Sequence, residues 1–160
     1  MKTTPFAAVI ITTLVSCNSP ANNKGNTASE LSATVPGADT VTCYRHLTGQ
    51  QQQDTALVHL IVNKDKVSGS YINAIFEKDR RQGSLRGTKA GNRITAIWTF
   101  SQEGQTDSLP VAFELAKDQL RQKPYSYNEN GREFIADSSV YSLIFQAIDC
   151  GDLLVKGKQQ

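Results

Sequence analysis

Arg93-Ile-Thr-Ala-Ile-Trp-Thr-Phe-Ser101 sets the tightest limit on what this chain can fold into. Ile94, Ala96, Trp98 and Phe100 alternate with Thr95, Ile97 and Thr99. A period of two puts the first set on one face of an extended strand and the second on the other, whereas a helix would scatter both around its axis. Similar runs recur at Ala56–Val62, Val67–Glu77, Gly83–Lys89 and Ser108–Leu115, with a short one around Leu120. In Ser108–Leu115 the residues Leu109, Val111, Phe113 and Leu115 share one face. Turn-forming residues separate the runs: Asn63–Lys66, Lys78–Gln82, Ala90–Asn92, Glu103–Thr106 and Lys117–Asp118.

Consecutive strands with short turns make an antiparallel meander. Closing it removes the exposed edges. The expected fold is therefore all-β: a small up-and-down, lipocalin-like barrel, or an open sandwich. Gly69 reads as a bulge or a point of close packing, and Pro110 marks an edge or a bulge. Asn128-Glu-Asn-Gly131 contains the Asn-Gly pair of two-residue hairpins and predicts a link between Tyr125–Tyr127 and Glu133–Ala136. Val140–Cys150 fits a helical stripe (Val140, Tyr141, Ile144, Phe145, Ile148) as well as a strand. Its density of β-branched and aromatic residues favours the strand.

The N-terminal region has another character. Lys2 precedes Phe6-Ala-Ala-Val-Ile-Ile-Thr-Thr-Leu-Val15, an uncharged apolar run. A bilayer-spanning helix needs about 20 such residues, so this run reads as a signal peptide. Leu14-Val15-Ser16-Cys17 resembles the lipobox of bacterial lipoproteins. That resemblance implies lipid attachment (palmitate among the acyl chains) at Cys17. Several acyl chains on one residue anchor stably, where one binds only marginally. Asn18–Thr40 is rich in small and polar residues and too poor in apolar ones to bury a core. The expected organisation is a signal peptide over 1–16, a lipid-anchored flexible tether over 17–41, a β domain over 42–152 and a disordered tail over 153–160. The expected place is the bacterial cell envelope, on a membrane face towards the periplasm or the cell surface. No acidic cluster follows Cys17 to mark surface export.

Removing signal and tether leaves roughly 120 residues, enough for one domain with one core. Lys and Arg number 17 against 15 Asp and Glu, and no basic tract interleaves with aromatics, so no nucleic-acid partner is expected. Of three cysteines, Cys43 and Cys150 sit at the two ends of the domain. In an oxidising compartment they are most simply a disulfide. Closing so long a loop contributes up to about 4–5 kcal/mol on the chain-entropy model. The alternative is two buried thiols. Two cysteines without histidines at ligand spacing give no metal site, and no cofactor is expected.

Cys43-Tyr44, Val67-Ser-Gly69, Glu77-Lys-Asp79, Gly83-x-x-x-Gly87, Trp98-Thr-Phe100-x-x-Glu103-Gly104 and Asp149-Cys150 follow in this order. The set resembles a group of small, uncharacterised cell-envelope lipoproteins of Bacteroidota over most of the domain. The resemblance implies location and fold rather than activity. The chain departs from it at Trp98, where Tyr is expected, and at Leu109-Pro110, where a charged pair is expected.

Candidate chemistry is sparse. Glu77, Asp79 and Glu103 lie at strand ends and could form paired carboxylates on one rim, as in a hydrolase. Turn capping by Asp79 and pairing of Glu77 with Lys78 or Arg86 account for them more simply. His46 and His59 lack a positioned nucleophile and acid. Tyr71, Phe76, Trp98, Phe100 and Phe113 could line a ligand cavity, or simply fill a core. Thr40, Thr55 and Ser108 follow Asp and match a short O-glycosylation pattern of Bacteroidota. The expected function is non-enzymatic: an envelope lipoprotein whose β domain binds a small apolar ligand or a protein partner. The alternatives are an inhibitor of a wall-degrading enzyme, on a faint echo of lysozyme-inhibitor loops in Ser68-Gly-Ser-Tyr71, and a carboxylate-dependent hydrolase.

Overall fold

The computed structural model describes residues 39–156. β1 (Thr40–Thr48), β2 (Asp54–Asn63), β3 (Lys66–Ala74), β4 (Arg81–Ala90), β5 (Arg93–Gln102), β6 (Gln105–Ala116) and β7 (Gln119–Gln122) follow as antiparallel neighbours. β8 (Ser126–Tyr127) and β9 (Glu133–Phe134) form a separate hairpin. β10 (Leu143–Ile148) then enters between β7 and β1 and closes an eight-stranded barrel, and a short helix, α1 (Gly151–Lys156), follows. The barrel is realised rather than the open sandwich, and Val140–Cys150 supplies its closing strand.

The boundaries move slightly. Thr40 and Val41 pair with Val62 and Ile61, so they belong to the wall and not to the tether. Residues 153–156 are helical rather than a disordered tail. The expected signal peptide, most of the expected tether and Cys17 lie outside the described residues.

The alternation read from the sequence becomes rows of inward side chains around the wall. One row runs Val58, Tyr71, Gly83, Phe100 across β2–β5; the next runs Leu60, Gly69, Leu85, Trp98, Leu109 across β2–β6. Trp98, Phe113, Phe145, Leu60, Leu85, Ile94 and Leu120 are fully buried. Two glycines let the wall curl around these large rings. Gly69 has φ +153°, and a Cβ there would overlap the His59 carbonyl. A Cβ on Gly83 would overlap the Thr99 carbonyl and crowd Phe100. Gly69 is thus a point of close packing, and its ladder with Leu60 and Leu85 is unbroken.

Pro110 sits where β6 has one partner only. β5 pairs with β6 from Gln105 to Glu114, while β7 reaches only Phe113–Ala116. The missing proline N–H is therefore never needed on the other side. The Asn-Gly hairpin forms with a longer loop than expected. The loop runs from Asn128 to Arg132, five residues in all, and the Asn128 carboxamide oxygen accepts from the N–H groups of Asn130 and Arg132 at 3.0 and 2.8 Å. That local bonding outcompetes a two-residue turn.

Antiparallel order sorts the connections into two ends. The turns 49–53, 75–80 and 103–104 and the segment 123–142 lie at one end, called distal here. The turns 64–65, 91–92 and 117–118, the entry into β1 and the exit into α1 lie at the other, the entry end.

Candidate functional site

The barrel interior leaves little open space. Tyr71 stacks on Trp98 at 4.4 Å between ring centroids, and Trp98 meets Phe100 at 4.4 Å. Phe113 and Phe145 meet Tyr71 edge-on, each at 6.2 Å. The buried polar atoms bond within this stack. The Trp98 Nε1–H donates to the Tyr71 main-chain carbonyl at 3.1 Å, and the Tyr71 hydroxyl donates to Gln122 Oε1 at 3.0 Å. Burial pushes the Tyr71 phenol well above its ordinary range. Four of the five expected cavity residues, Tyr71, Trp98, Phe100 and Phe113, are therefore packed core. The fifth, Phe76, is 58 % exposed. It follows the end of β3 in a turn, and a period of two counted from Tyr71 already puts position 76 on the outer face with Ile72 and Ala74.

Open space remains at the distal mouth. A pocket of ≈ 160 Å³ there is lined by His46, Thr48, Ala56, Tyr71, Asn73, Leu143 and Phe145, among others. His46 Nδ1 lies 2.7 Å from the Ile144 carbonyl. A carbonyl only accepts, so Nδ1 is the donor of this contact. The ring also sits 5.1 Å from that of Phe145.

The segment 123–142 lies against this mouth, and Arg81 at the start of β4 holds it. The Arg81 guanidinium pairs with Glu133 at 2.6 Å, its Nε donates to Gln102 at 2.7 Å, and it lies over the Phe100 ring. Tyr127 donates to the same Glu133 carboxylate at 3.2 Å. The Tyr125 hydroxyl is buried with no partner, and burial drives its phenol far upward. Around this end, Ile75, Phe76, Tyr127, Phe134 and Val140 are exposed apolar side chains.

The carboxylates behave as a turn pair. Asp79 and Glu103 face each other across the turns 75–80 and 103–104, and the neighbouring Asp79 carboxylate raises the Glu103 pKa. Glycosidase carboxylates stand about 5–9.5 Å apart across a sugar. These two stand on exposed turns rather than across a cleft that could hold a sugar. Ser68–Tyr71 lies within β3 with Tyr71 in the core, so it offers no loop to an enzyme. Of the glycosylation candidates, Thr40 and Ser108 are exposed and Thr55 is half-buried.

Cys43 and Cys150 form a disulfide with a Cα–Cα distance of 5.2 Å. Next to it lies a histidine that sequence spacing did not reveal. The register of β1 on β2 sets Cys43 directly beside His59. One ligand atom from each of Cys43, His59 and Cys150 falls within 4.8 Å of the others. This cluster is on the outer wall, since the flanking Tyr44, Val58 and Leu60 point into the core. The expectation that no histidine accompanies the cysteines is thus corrected. His46 and His59 are on different faces of the wall. A broad depression of ≈ 670 Å³ also lies on the wall of β2–β4, with Ile61, Ser68, Ser84 and Arg86 among its lining.

Compared with family models, curated proteins and solved structures, the chain has no match in any of the three.

Proposed function

We propose that the protein is a lipid-anchored envelope lipoprotein whose barrel is a non-enzymatic binding domain, offering its distal end to a protein partner. One observation carries the choice of partner. Small-molecule sites are enclosed and occupy about 300–1,000 Å³, whereas the interior here is filled by its own aromatic rings, the mouth pocket holds ≈ 160 Å³, and the ≈ 670 Å³ depression on β2–β4 lies open on the outer wall. The mouth pocket has room for one large side chain, not for a carried ligand. Protein interfaces seat single anchoring side chains in pockets of this kind, and exposed aromatic and aliphatic groups around them complete the contact. Phe76, Tyr127 and Phe134 are such groups at this end.

The anchor rests on Leu14-Val15-Ser16-Cys17 and on cysteine count. The disulfide uses two of the three cysteines, so Cys17 has no cysteine left to pair with inside the chain. Palmitate labelling is expected to vanish in Cys17→Ser and to persist in Cys43→Ser. Partner binding is tested in intact cells with a photocrosslinking residue at Phe76 or Tyr127 and, as control, at Ile97 on the outer wall of β5. The expected result is one discrete protein adduct from the distal positions, lost when Leu143→Trp fills the pocket, and none from Ile97. Equal adducts from all three positions would sink the reading.

A further inference from the structure

Cys43, Cys150 and His59 form more than a covalent staple. We infer that, once the disulfide is reduced, these three side chains bind a single thiophilic d10 metal ion, Cu⁺ or Zn²⁺. Two thiolates and an imidazole are a ligand set that suits both ions. Metal–sulfur and metal–nitrogen bonds of roughly 2.0–2.3 Å put ligand atoms about 3.5–4 Å apart. The three atoms here already lie within 4.8 Å of one another. Rotation about the cysteine χ1 bonds separates the sulfurs after reduction, with Cα atoms 5.2 Å apart and His59 held by the β1–β2 ladder.

The site is organised by the wall rather than by a loop. Cys43 and His59 are ladder partners on adjacent strands, and Cys150 lies two residues beyond β10, the other neighbour of β1. Cys43 is buried, while His59 and Cys150 are half-buried, so one side of the cluster meets solvent. Three-coordinate Cu⁺ is complete with these ligands. Zn²⁺ takes a water as its fourth on the open side.

The chemistry balances with a dithiol reductant. The Cys43 Sγ–Cys150 Sγ bond breaks, the reductant becomes a disulfide, and its two electrons and two protons leave two thiols on the barrel. Metal binding then expels both thiol protons. Exchange with a disulfide oxidant re-forms the Cys43 Sγ–Cys150 Sγ bond, the oxidant taking the two electrons and two protons and leaving as a dithiol; this removes two of the three ligands and releases the ion. The oxidised protein is therefore the metal-free form, and the reduced protein the metal-binding one.

The test uses the domain with and without phosphine reduction, freed of reductant under nitrogen. Zn²⁺ is titrated against a chromophoric zinc chelator and Cu⁺ against a cuprous chelator. The expected result is one ion per reduced chain and none per oxidised chain. His59→Ala should bind at least about tenfold more weakly, since even partners outside the coordination sphere carry about that much. Cobalt(II) provides a spectroscopic reading, because its thiolate charge-transfer bands appear in the wild type and its ligand-field bands shift in His59→Ala. Should the reduced chain lose its β signal in circular dichroism, Zn²⁺ is expected to restore it, because binding energy is then folding energy. A reduced chain that takes up no ion, a reduced unfolded chain that Zn²⁺ fails to restore, or a His59→Ala affinity equal to wild type, overturns the proposal. The two chelator arms separate Cu⁺ from Zn²⁺.

Discussion

The hydrogen bond between Tyr71 and Gln122 is a buried polar pair inside an aromatic stack, and its removal has a calculable cost. Gln122 is 1 % exposed and Tyr71 4 %, so water cannot replace either partner. Tyr71→Phe keeps the ring on Trp98 and deletes the donor. Gln122 Oε1 then loses its bond in the core, at about 1–3 kcal/mol. Gln122→Leu orphans the Tyr71 hydroxyl instead and costs about the same. Tyr71→Phe with Gln122→Leu leaves two apolar groups of similar size, and the double change should cost less than about 1 kcal/mol. Coupling this strong is typical only of groups in direct contact. The assay is urea unfolding followed by fluorescence. The chain has one tryptophan, Trp98, and it lies in the stack, so its emission reports this core. The reasoning fails if Tyr71→Phe is within about 0.5 kcal/mol of wild type, or if the double change costs the sum of the single ones.

Burial raises the phenols of Tyr71 and Tyr125 in the folded state. Below about pH 10 both states keep these protons; above it only the unfolded state releases them, so stability is full below that pH and falls as pH rises. The slope approaches about 1.4 kcal/mol per pH unit for each tyrosine, and Tyr71→Phe with Tyr125→Phe should flatten the urea midpoint measured across that range. Arg81→Ala removes the ion pair that holds segment 123–142, a half-exposed contact worth about 1 kcal/mol after solvent screening. Faster amide exchange in 123–142 with a near-constant global midpoint is the expected reading, and uniform loss of protection would count against it. Gly83→Ala forces a methyl into the β5 backbone and should cost about 1–3 kcal/mol or more, seen as a lower urea midpoint; a neutral result would mean the wall does not curl there.

The wall was legible because its signal is local. Ile94, Ala96, Trp98 and Phe100 announce their face by alternation, and every one of them is buried. Pro110 announced an edge, and β7 is too short to cover it. The site was less legible because its members meet by register and not by spacing. Nothing in the sequence says that β1 and β2 align Cys43 with His59, since a shift of one residue would have put them on opposite faces. Phe76 misled for a related reason. It stands five residues from Tyr71, an odd separation that alternation puts on opposite faces, and the strand ends before it. Arg81 carried no motif at all. Its role at the mouth comes from Gln102 on β5 and Glu133 on β9, residues distant in sequence.

An even number of antiparallel strands has a mechanical consequence. β1 begins and β10 ends at the same end of the barrel, so the chain arrives from the tether where the last strand leaves. Under the anchoring proposed here, any pull between membrane and partner enters at Thr40 and acts to peel β1 from β2 and β10. Backbone hydrogen bonds at a strand end open one at a time under such a load, each worth only about 1 kcal/mol net. Cys43 lies just inside that end, and its bond to Cys150 ties β1 to the chain beyond β10. Peeling therefore stops at Cys43 while the bond is intact. Reduction removes that stop. Forced unfolding by pulling on the N-terminus should separate the two states: the oxidised barrel resists beyond Thr42, and the reduced one yields along the whole of β1. If both states extend to the same length at the same force, the disulfide carries no load and its place at the entry end has no mechanical meaning.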